Sequence, residues 1–508
     1  MMENRQRPGK SLAARGNSMR RKINPFLLGC LAALLISCGG GGVIGLIASG
    51  GIGGTGISFG PILLLGSATV NGTKFNTDTA IISIDGDTSK TFADLKVGYV
   101  VRVTGDLNTN TNTGTATQLE YEETVRGPVE NLKPVAGTFE VLGQTVRTDP
   151  LTVFDNVVLD ATATNALKNG DLVDVSGIRD ANDNLVASYV GKSPTTATDF
   201  KVTGVVAPPL TASSFKIANL TVQHTSQTSL LIGDVVRVKG KSSNYDPTTR
   251  TLTADSIGPG IKPELSGEVM ELEGFIESID DPTGDRFTVN GIPVDASSAT
   301  FEGNTAIPLA VGVEVEVEGN VVNDPLNVGE KLLKAVKVGI EADNGIDIEA
   351  KIDAIDSVAK TLQVLGSQVT IQVNNLTQMK DETASTSGPF GFADLKVGDK
   401  LEMRGFLDDS GKLVAGKLDR TDPAKTRAIL QAQPKNISLA GATLTMDLLG
   451  VAITADGTTR YQDTDGTSIS QSAFQTKLNT QPSLLVKARW NSFSQTTDIV
   501  DELSLESE

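Results

Sequence analysis

The feature that most constrains the fold is a short segment, bounded by glycine at both ends, that recurs along the chain. Between its glycines, apolar and polar residues alternate, as Val101 and Val103 do with Arg102 and Thr104. Such alternation predicts a β-strand with one buried and one solvated face, and its recurrence predicts tandem copies of one β unit. Five copies, each with its glycines seven positions apart, lie at 98–105, 170–177, 233–240, 312–319 and 398–405.

A second pattern lies upstream of each glycine-bounded segment and indicates a β-hairpin. Apolar residues recur there at relative positions 0, 2 and 7, as they do at 287, 289 and 294. Two copies carry Asn-Gly between the apolar residues, at 71–72 and 290–291. Because Asn and Gly both tolerate positive φ, this pair is a strong signal for a hairpin turn.

The order of the segments predicts a barrel. Further strand-like segments precede the hairpin and follow the glycine-bounded segment, for example at 127–129 and 185–187. Between these parts, 92–98 and 392–398 both read F-A-D-L-K-V-G, which predicts one helical turn capped by glycine. Five strands with a short helix between the third and the fourth is the order of an OB-type barrel. The expected fold class is therefore all-β, a tandem series of small five-stranded OB-like barrels.

The length of the chain requires several domains, since 508 residues exceed what one hydrophobic core holds. A sixth unit keeps the hairpin but lacks the glycine pair, as terminal repeats often do, and its fourth strand is expected at 484–490. The predicted boundaries are 1–37 for a signal peptide, 38–60 for a glycine-rich tether, and 61–123, 124–195, 196–262, 263–342, 343–424 and 425–508 for six β modules, the last divergent.

The N-terminal segment indicates export. Three basic residues, Arg20, Arg21 and Lys22, precede an apolar run over 26–36, which is shorter than the ~20 residues that a membrane span needs. This pattern predicts a cleaved secretory signal, for which Met19 is an alternative start. The competing interpretation, an uncleaved membrane helix over 26–47, is disfavoured by the glycine block at 39–42.

The signal ends in Leu35-Ile36-Ser37-Cys38, which resembles the lipobox of bacterial lipoproteins. The resemblance implies that the Cys38 thiol accepts a diacylglyceryl group, that cleavage occurs just before it, and that the new amino terminus is acylated. Several acyl chains on one residue anchor a protein firmly, because each buried CH₂ contributes ~0.8 kcal/mol. We therefore expect a lipid-anchored protein of the cell envelope, and Gly39 after the cysteine favours the outer membrane over the inner membrane.

The glycine-dense stretch after Cys38 predicts a flexible tether between the lipid and the first module. Within it, Gly51, Gly53 and Gly56 match G-x-G-x-x-G, the dinucleotide-binding pattern. That pattern requires a preceding strand, a following helix and an acidic residue about twenty positions further on. None of this context follows in the sequence, so no dinucleotide cofactor is expected.

Residue usage argues against most classes of enzyme. The chain has one histidine, His224, and two cysteines, Cys30 and Cys38, of which the mature protein would keep Cys38. Histidine-based zinc sites, Ser–His–Asp triads and Cys–His pairs therefore lack their residues. A net charge of −17 disfavours nucleic acid, because it repels phosphate backbones. We expect no catalytic residues, no metal site, no cofactor and no nucleic-acid partner.

Three acidic clusters are the best remaining candidates for chemistry. Their oxygens could hold Ca²⁺, but none of the clusters has the twelve-residue loop with a terminal glutamate. Asp and Gly also dominate ordinary hairpin turns, so the turn interpretation is favoured. The clusters are Asp280, Asp281 and Asp285; Asp408, Asp409 and Gly411; and Asp463, Asp465 and Gly466.

A few single residues carry further expectations. Trp490, the only tryptophan, is expected in the core of the sixth module, and His224 is expected at the surface or with its hydrogen bonds satisfied. The outward residues of the fourth strands carry mixed charge, which predicts a solvated face rather than a track for phosphates. These residues are Arg102, Asp174, Arg237, Glu316 and Glu402.

Three features together resemble an uncharacterised family of bacterial lipoproteins, domain of unknown function 5666. They are the lipobox at Cys38, the glycine tether over 50–60, and the tandem V-G-D-x-V-x-V-x-G-like strands. The resemblance covers most of residues 38–424 and, more weakly, the rest. It implies a lipid-anchored chain of small barrels, and it brings no activity and no catalytic residues.

The leading functional hypothesis is a non-enzymatic envelope protein whose modules act as a structural spacer or an interaction surface. Its expected partners are the membrane, through the lipid on Cys38, and an envelope protein or polysaccharide. A second hypothesis is a binding module for glycans or other envelope polymers, which matching exposed residues in several units would support. A third is an acid-dependent hydrolase, because acidic residues are abundant in the sequence.

Overall fold

The structure of this chain is a computed structural model. The predicted signal peptide and the lipidation site Cys38 lie outside the residues that it describes, and those residues belong to one compact unit, Ser49–Glu508. The described residues are 52–65, 68–159, 161, 163–194, 197–225, 229–303, 307–340, 345–383, 390–408, 410–464, 466–493 and 499–506.

Barrel 1 contains β1 (Gly53–Leu64), β2 (Ala68–Val70), β3 (Thr73–Asn76), β4 (Ile81–Ile84), β5 (Val100–Asn108) and β6 (Thr113–Tyr121), with a 3-10 turn at Phe92–Asp94. Hydrogen-bonded neighbours run β1-β2-β3-β6-β5 and return to β1, with β3 and β6 parallel. This closed five-strand ring has the strand order of an OB barrel. The extra strand, β4, continues the parallel pairing along β6.

Barrel 2 repeats this ring with β7 (Val125–Lys133), β8 (Thr138–Val141), β9 (Gln144–Asp155), β10 (Leu172–Arg179) and β11 (Leu185–Lys192), and it has a 3-10 turn at Pro134–Ala136. The neighbours run β7-β8-β9-β11-β10 and return to β7. As in barrel 1, the third and fifth strands of the ring are parallel, here β9 and β11.

Barrel 3 is only partly closed. Its elements are β12 (Asp199–Val205), β13 (Ser214–Ile217), β14 (Leu220–Gln223), β15 (Val235–Lys241), β16 (Tyr245–Asp246), β17 (Thr251–Thr253) and β18 (Ser256–Pro259), with a 3-10 turn at Ser242–Asn244. The fifth strand is broken into β17, which pairs with β14, and β18, which pairs with β15. An isolated β-bridge between Ala207 and Lys216 connects the sheet that contains β12, β15 and β18 to the sheet that contains β13, β14, β16 and β17.

Barrels 4 and 5 are closed like barrel 1. Barrel 4 contains β19 (Val269–Ile279), β20 (Arg286–Val289), β21 (Ile292–Asp295), β22 (Thr300–Gly303), β23 (Glu314–Asn323) and β24 (Lys331–Ile340). Barrel 5 contains β25 (Ile346–Asp356), β26 (Thr361–Val364), β27 (Val369–Gln372), β28 (Gln378–Asp381), β29 (Lys400–Leu407) and β30 (Leu413–Thr421), with a 3-10 turn at Phe392–Asp394. In barrel 4, β19 pairs with β20 and β23, and β21 runs parallel to β24. In barrel 5, β25 pairs with β26 and β29, and β27 runs parallel to β30. As in barrel 1, β22 and β28 are extra to the five-strand ring, so β23 and β29 are its fourth strands.

Barrel 6 is divergent, and it is also only partly closed. It contains β31 (Ala428–Ala432), β32 (Lys435–Ala440), β33 (Thr443–Leu448), β34 (Val451–Ala455), β35 (Arg460–Gln462), β36 (Ser468–Ile469), α1 (Gln471–Thr480), β37 (Leu485–Trp490) and β38 (Glu502–Glu506). The hairpin strands form a separate sheet, β32-β33-β34. The predicted fourth strand is present as β37, and Trp490 is buried in the core as expected.

The first glycine of each repeated pair has positive φ and lies two residues before the strand that follows it, the fourth strand of the five-strand ring. Gly98 has a φ of 87°, a conformation that costs other residues energy, and its N–H donates to the Ile62 carbonyl at 2.8 Å. The bond ties the start of the fourth strand to the first strand of the same barrel. Equivalent bonds run from Gly170 to Val129, Gly233 to Val206, Gly312 to Ile276 and Gly398 to Ile352.

The second glycine of the pair lies at a β-bulge between the fourth and fifth strands. A Cβ on Gly105 would lie 2.1 Å from the Thr115 carbonyl oxygen, and the register shifts between Thr104 and Gly105. The same shift and the same close approach occur at Gly177, Gly319 and Gly405. The sequence repeat therefore marks one tight backbone contact that each closed barrel needs.

Two local predictions about turns have different outcomes. The Asn-Gly turns are confirmed, since Asn290 and Gly291 have φ of 48° and 74° and link β20 to β21. The helical turn is also present, as a 3-10 turn at Phe92–Asp94, but the prediction that glycine caps it is wrong. The turn ends at Leu95 in an extended conformation, and the glycine comes three residues later.

The predicted tether over 38–60 extends too far, because β1 begins at Gly53. Glycines of this range that lie in β1 are needed for close packing. A Cβ on Gly56 would lie 2.0 Å from the Val269 carbonyl oxygen of barrel 4, and one on Gly60 would lie 2.2 Å from Asn71 Oδ1. Glycine density suits a linker and a crowded strand equally, so composition alone could not separate them.

The barrels are joined in pairs through their first strands. β1 runs parallel to β19, with Ile57 opposite Met270, so barrels 1 and 4 share one sheet. β7 pairs antiparallel with β12, and β25 pairs antiparallel with β31, which joins barrel 2 to barrel 3 and barrel 5 to barrel 6. Two of these pairs also share a hydrophobic core. Barrels 2 and 3 share one cluster of buried apolar residues, and barrels 5 and 6 share another.

Candidate functional site: charged junctions between the barrels

The predicted solvated face of the fourth strands is largely buried between barrels, so this expectation is wrong. The side chains of Arg102, Asp174 and Arg237 are 18%, 17% and 20% exposed, and Glu316 is fully buried. Only Glu402 keeps a substantially exposed side chain, at 39%. The alternation identified the face that turns away from each barrel's own core, and neighbouring barrels then cover that face.

One junction lies where barrels 1, 2 and 3 meet, and we call it the three-barrel junction. Lys201 of β12 is at its centre, and its Nζ donates to Asp85 of barrel 1 and, at 2.8 Å, to Glu123 of the connection between barrels 1 and 2. Arg126 of β7 bridges Glu123 and Asp174. Acids and bases alternate along this chain of contacts, so each buried charge lies beside a charge of opposite sign.

A second group of contacts extends the three-barrel junction. Arg237 of β15 pairs with Glu122, whose other oxygen accepts the Ile261 N–H at 2.9 Å. The Lys239 Nζ donates to the Asp85 carbonyl at 3.3 Å. One connecting segment, with Glu122 and Glu123 side by side, therefore binds cations of both barrel 2 and barrel 3.

The electrostatics of the three-barrel junction reflect the balance between burial and pairing. Burial raises the pKa of Glu123 to about 7, and the nearby Asp85 carboxylate adds to the rise, while Lys201 and Arg126 oppose it. Burial also raises the pKa of Glu122. Burial alone would lower the pKa of Lys201, but the carboxylates of Glu123 and Asp85 outweigh it and raise that pKa. The lysine therefore stays charged.

A second junction, between barrels 1 and 4, has an excess of carboxylates, and we call it the carboxylate patch. It consists of Glu271 and Glu273 on β19, which pair across the sheet with Glu318 and Glu316 on β23, and of Lys337 on β24. The Lys337 Nζ lies 3.5 Å from Glu318 Oε2. Like charges directly opposite one another in a sheet are destabilising, so the patch needs another source of neutralisation.

Barrel 1 covers the carboxylate patch with hydroxyl groups. The Thr73 hydroxyl donates to Glu271 Oε1 at 2.5 Å, and the Thr109 hydroxyl donates to Glu318. Burial raises the pKa of Glu271 to about 8, and the carboxylates of Glu316 and Glu318 add to the rise. Burial also raises the pKa of Glu316. Glu271 of the patch therefore holds a proton at neutral pH, where the three-barrel junction holds lysine and arginine.

A third junction joins barrels 5 and 6. Glu349 of β25 is 2% exposed, and it pairs with Lys400 at 3.3 Å and with Arg427 at 2.5 Å. The Lys400 amine also donates to the Arg427 carbonyl. Here too a charged group from the first strand of one barrel lies buried against the next barrel.

The acidic clusters form turns where the structure describes them. The Asp281 carboxylate accepts the Thr283 hydroxyl and the Gly284 and Arg286 N–H groups, and Asp408 accepts Ser410 and Lys412 in the same way. Asp463 pairs with Lys477 of α1 at 2.8 Å. Asp409 and Asp465 lie outside the described residues.

No metal site or ligand pocket stands out in the described part of the chain. Among these residues, no group of three or more His, Cys, Asp or Glu side chains is placed to hold a metal ion. The cavity beside Lys96 and Tyr189, with a volume of about 40 Å³, has room for water molecules but not for a ligand of drug size. No helix in the same residues is long and apolar enough to cross a membrane.

His224, which the sequence singled out, and three tyrosines, which it passed over, take structural roles. His224 is buried, at 5% exposure, with its ring 5.7 Å from Phe215, so it is not at the surface. Tyr99 and Tyr121 stack at 3.8 Å, and Tyr189 of barrel 2 packs edge-on against Tyr99. Nothing in the sequence pattern predicted this ring cluster between barrels 1 and 2.

Sequence reasoning also missed Asp85, Glu122, Glu123 and Lys201. The sequence signal that could have pointed to them is the segment 120–123, which has three glutamates. It lies in the connection between two modules, where a neutral, flexible linker is more usual. Charge in such a short connection is consistent with ion pairs to neighbouring barrels. The identity of the partners depends on which barrels meet, which the run itself does not encode.

Comparison with known proteins gives one informative match. A search of curated proteins found none that matches the chain. The solved structure of Drosophila Unr CSD456 aligns at 11% identity with a TM-score of 0.12, covering 44% of this chain and 98% of that one. At that TM-score the alignment assigns no fold, and the OB order here follows from the strand pairing alone.

The family model of Domain of unknown function (DUF5666) matches residues 60–120, 126–191, 273–325 and 349–419. These four stretches lie in barrels 1, 2, 4 and 5, which are the four with a closed ring. The match confirms the resemblance inferred from the glycine-bounded strands. The chain therefore belongs to the family defined by DUF5666, of which it carries four matched copies.

Proposed function

We propose that this chain is a lipid-anchored protein of the cell envelope whose joined barrels act as a structural spacer or interaction module. The repeated β domains of unknown function support the general role, because such repeats commonly serve as structural or interaction modules. The lipid anchor rests on the lipobox-like ending at Cys38. No catalytic residue is included in the proposal.

The observation that carries the proposal is how the barrels use their surfaces. First strands pair with first strands, and outward arginines of two fourth strands, Arg102 and Arg237, form ion pairs with acidic residues outside their own barrels. Surfaces that could have bound a ligand instead hold one barrel against another. A chain built in this way holds its barrels together and presents their remaining outer surfaces as one unit.

The anchor is tested by exchanging its cysteine in the full-length protein. Cys38→Ala should remove acylation, so the protein should move from the membrane fraction to the soluble fraction and lose incorporation of a labelled fatty acid. Cys30→Ala, in the same signal segment, is the matched control and should leave both unchanged. Unchanged partitioning of the Cys38→Ala protein would refute the anchor.

The membrane that holds the anchor is tested on the same samples. Separation of inner and outer membranes by density should place the wild-type protein with the outer membrane, as Gly39 after the cysteine favours. Recovery with the inner membrane would contradict that placement but would leave the anchor itself intact.

A further inference from the structure

The heptapeptide F-A-D-L-K-V-G occurs twice, at 92–98 in barrel 1 and at 392–398 in barrel 5, and we call it the plug. Both copies have the same local structure. The side chain of Asp94 accepts the Thr91 N–H at 2.9 Å, and that of Asp394 accepts the Gly391 N–H at 2.9 Å. The final glycines have φ of 87° and 92°. The plug therefore has one conformation in two different surroundings.

In barrel 1 the plug is docked against barrel 2. The Lys96 Nζ lies 2.6 Å from Asp155 Oδ2 and 2.9 Å from the Tyr189 hydroxyl, which itself donates to Asp155 at 2.9 Å. Val97 is 7% exposed and packs in the same cluster as Val153 and Tyr189. We call the surface formed by Val153, Asp155 and Tyr189 the socket.

The glycine of the docked plug completes the fit. A Cβ on Gly98 would lie 2.5 Å from the Ser188 carbonyl oxygen, so only glycine allows this approach. The Ser188 hydroxyl donates to the Gly98 carbonyl at 2.6 Å. Charge, apolar burial and close backbone contact thus all contribute to docking of the barrel 1 plug.

In barrel 5 the same residues face outward. Lys396 is exposed, and Val397 is 64% exposed where Val97 is buried. A Cβ on Gly398 would have no atom within 4 Å. The Lys360 amine lies 4.9 Å above the Phe392 ring, so a second basic group lies beside this plug.

The chain offers no second socket in its other closed barrels. To compare the barrels, we locate Tyr189 by the β-bulge: it lies two residues after Ala187, the residue of β11 that pairs with Gly177. The corresponding residues are Gln118, Lys337 and Lys417 in barrels 1, 4 and 5. The lysines would repel Lys396, and the socket of barrel 2 is already filled by its own chain. At these equivalent positions the other closed barrels therefore offer no matching surface, which favours a different protein as the partner of the barrel 5 plug.

We propose that the plug of barrel 5 docks a different protein, through a surface that carries a carboxylate beside a tyrosine or phenylalanine ring and an aliphatic side chain. Asp155, Tyr189 and Val153 show that this chemistry receives the plug. Because the undocked plug already has the docked conformation, binding has little ordering cost. The proposal deepens the interaction role proposed above and rests on it.

The test is site-specific photo-crosslinking of the full-length protein in its own envelope. Benzoylphenylalanine replaces Val397, and adducts are mapped by mass spectrometry. We expect one major adduct to another protein, at a peptide in which Asp or Glu lies beside Tyr or Phe. The same probe at Val97 should link within the chain to the socket, and the probe at Val135, which is 96% exposed in barrel 2, gives the background level.

Charge reversal shows whether the adduct depends on the plug. Lys396→Glu should reduce the yield about tenfold, because it sets a carboxylate against the partner's carboxylate. Lys351→Glu, an exposed lysine of the same barrel, should leave the yield unchanged.

The proposal is overturned by an adduct no stronger than at Val135, by an adduct to a second copy of this chain, or by a yield that Lys396→Glu does not change. Its failure is distinguishable from failure of the anchor. An adduct at Val397 that forms while the Cys38→Ala protein stays with the membrane would leave docking intact and refute only the anchor.

Discussion

The three-barrel junction and the carboxylate patch solve the same problem in opposite ways. Both bury the outward residues of fourth strands beneath a neighbouring barrel. In the first, Lys201 and Arg126 face Asp85, Glu123 and Asp174, so every buried charge has a partner of opposite sign. In the second, Lys337 lies 3.5 Å from Glu318, and a proton on Glu271 takes the place of a cation. Similar folds can therefore be joined by ion pairs or by protonation.

The difference has consequences for stability and for its pH dependence. A buried ion pair costs desolvation energy that the pairing roughly recovers, so it specifies which barrels meet more than it stabilises them, but removal of one partner is severe. A protonated carboxyl contributes without a partner, but only while the proton stays bound. The two junctions should therefore respond differently to mutation and to pH.

The largest expected effect is the loss of the lysine at the centre of the three-barrel junction. Lys201→Met leaves the Asp85 carboxylate buried without its cation and removes one of the two cations of Glu123, which should lower the free energy of unfolding by about 3–5 kcal/mol. Chemical denaturation at neutral pH measures this loss. Lys74→Met, at an exposed position of β3, is the control and should change stability by less than about 0.5 kcal/mol. A loss of similar size in both variants would contradict the central role of Lys201.

The second prediction concerns the pH dependence of the carboxylate patch. The pKa of Glu271 is raised from 4.5 to about 8, so between these pH values the folded protein holds a proton that the unfolded chain has released. Stability should therefore fall as pH rises through this window, by up to about 1.4 kcal/mol per pH unit for this group.

Glu271→Gln isolates this contribution, because the amide is neutral at every pH. Relative to wild type, the variant should gain stability as pH rises from about 5 to about 8, by about 3 kcal/mol in total. Denaturation of both proteins across that range measures the difference. Parallel pH profiles for the two proteins would mean that Glu271 is ionised in the folded state.

The third prediction concerns the paired first strands of barrels 1 and 4. A Cβ at Gly56 would lie 2.0 Å from the Val269 carbonyl oxygen, so Gly56→Ala should separate β1 from β19 and cost about 1–3 kcal/mol. Gly457→Ala is the matched control, since a Cβ there meets no atom within 4 Å. Thermal unfolding of the two variants compares them, and equal midpoints would show that the parallel pairing is absent.

The smallest expected effect compares the two copies of the plug. Lys96→Met removes an ion pair whose lysine side chain is 40% exposed, so it should cost about 0.5–1 kcal/mol. Lys396→Met should cost nothing measurable, because its copy faces outward. Chemical denaturation of both variants at neutral pH measures the change in the free energy of unfolding for each. A cost at Lys396 equal to that at Lys96 would show that the barrel 5 plug is docked within the chain.

The sequence was enough to predict the barrels because their local signals are strong. Alternating strands, the Asn290-Gly291 turn and the glycine pairs each depend on neighbours a few residues apart. The same signals could not reveal that β1 begins at Gly53, because glycines that pack tightly and glycines that give flexibility look alike. The expected divergence of barrel 6 is present, but the broken fifth strand of barrel 3 follows an intact glycine pair and was not foreseen.

The junctions could not be predicted because they depend on which barrels meet. Barrel 1 pairs with barrel 4 rather than with its successor, so sequence order gives no guide to the partner. Period-two alternation shows that Arg102 and Glu316 point away from their own barrel, but not whether water or another barrel lies beyond. The mixed charge of this face, which suggested a solvated surface, instead reflects ion pairs within a barrel and across junctions.

The central claim, that barrels are joined through their first strands, is tested most directly by hydrogen exchange in the native full-length protein. The account predicts that the amides of Gly56–Phe59 and Val269–Leu272, which pair between barrels 1 and 4, exchange as slowly as amides in the interior of each barrel. Exchange of these amides as fast as that of exposed loop amides would contradict it.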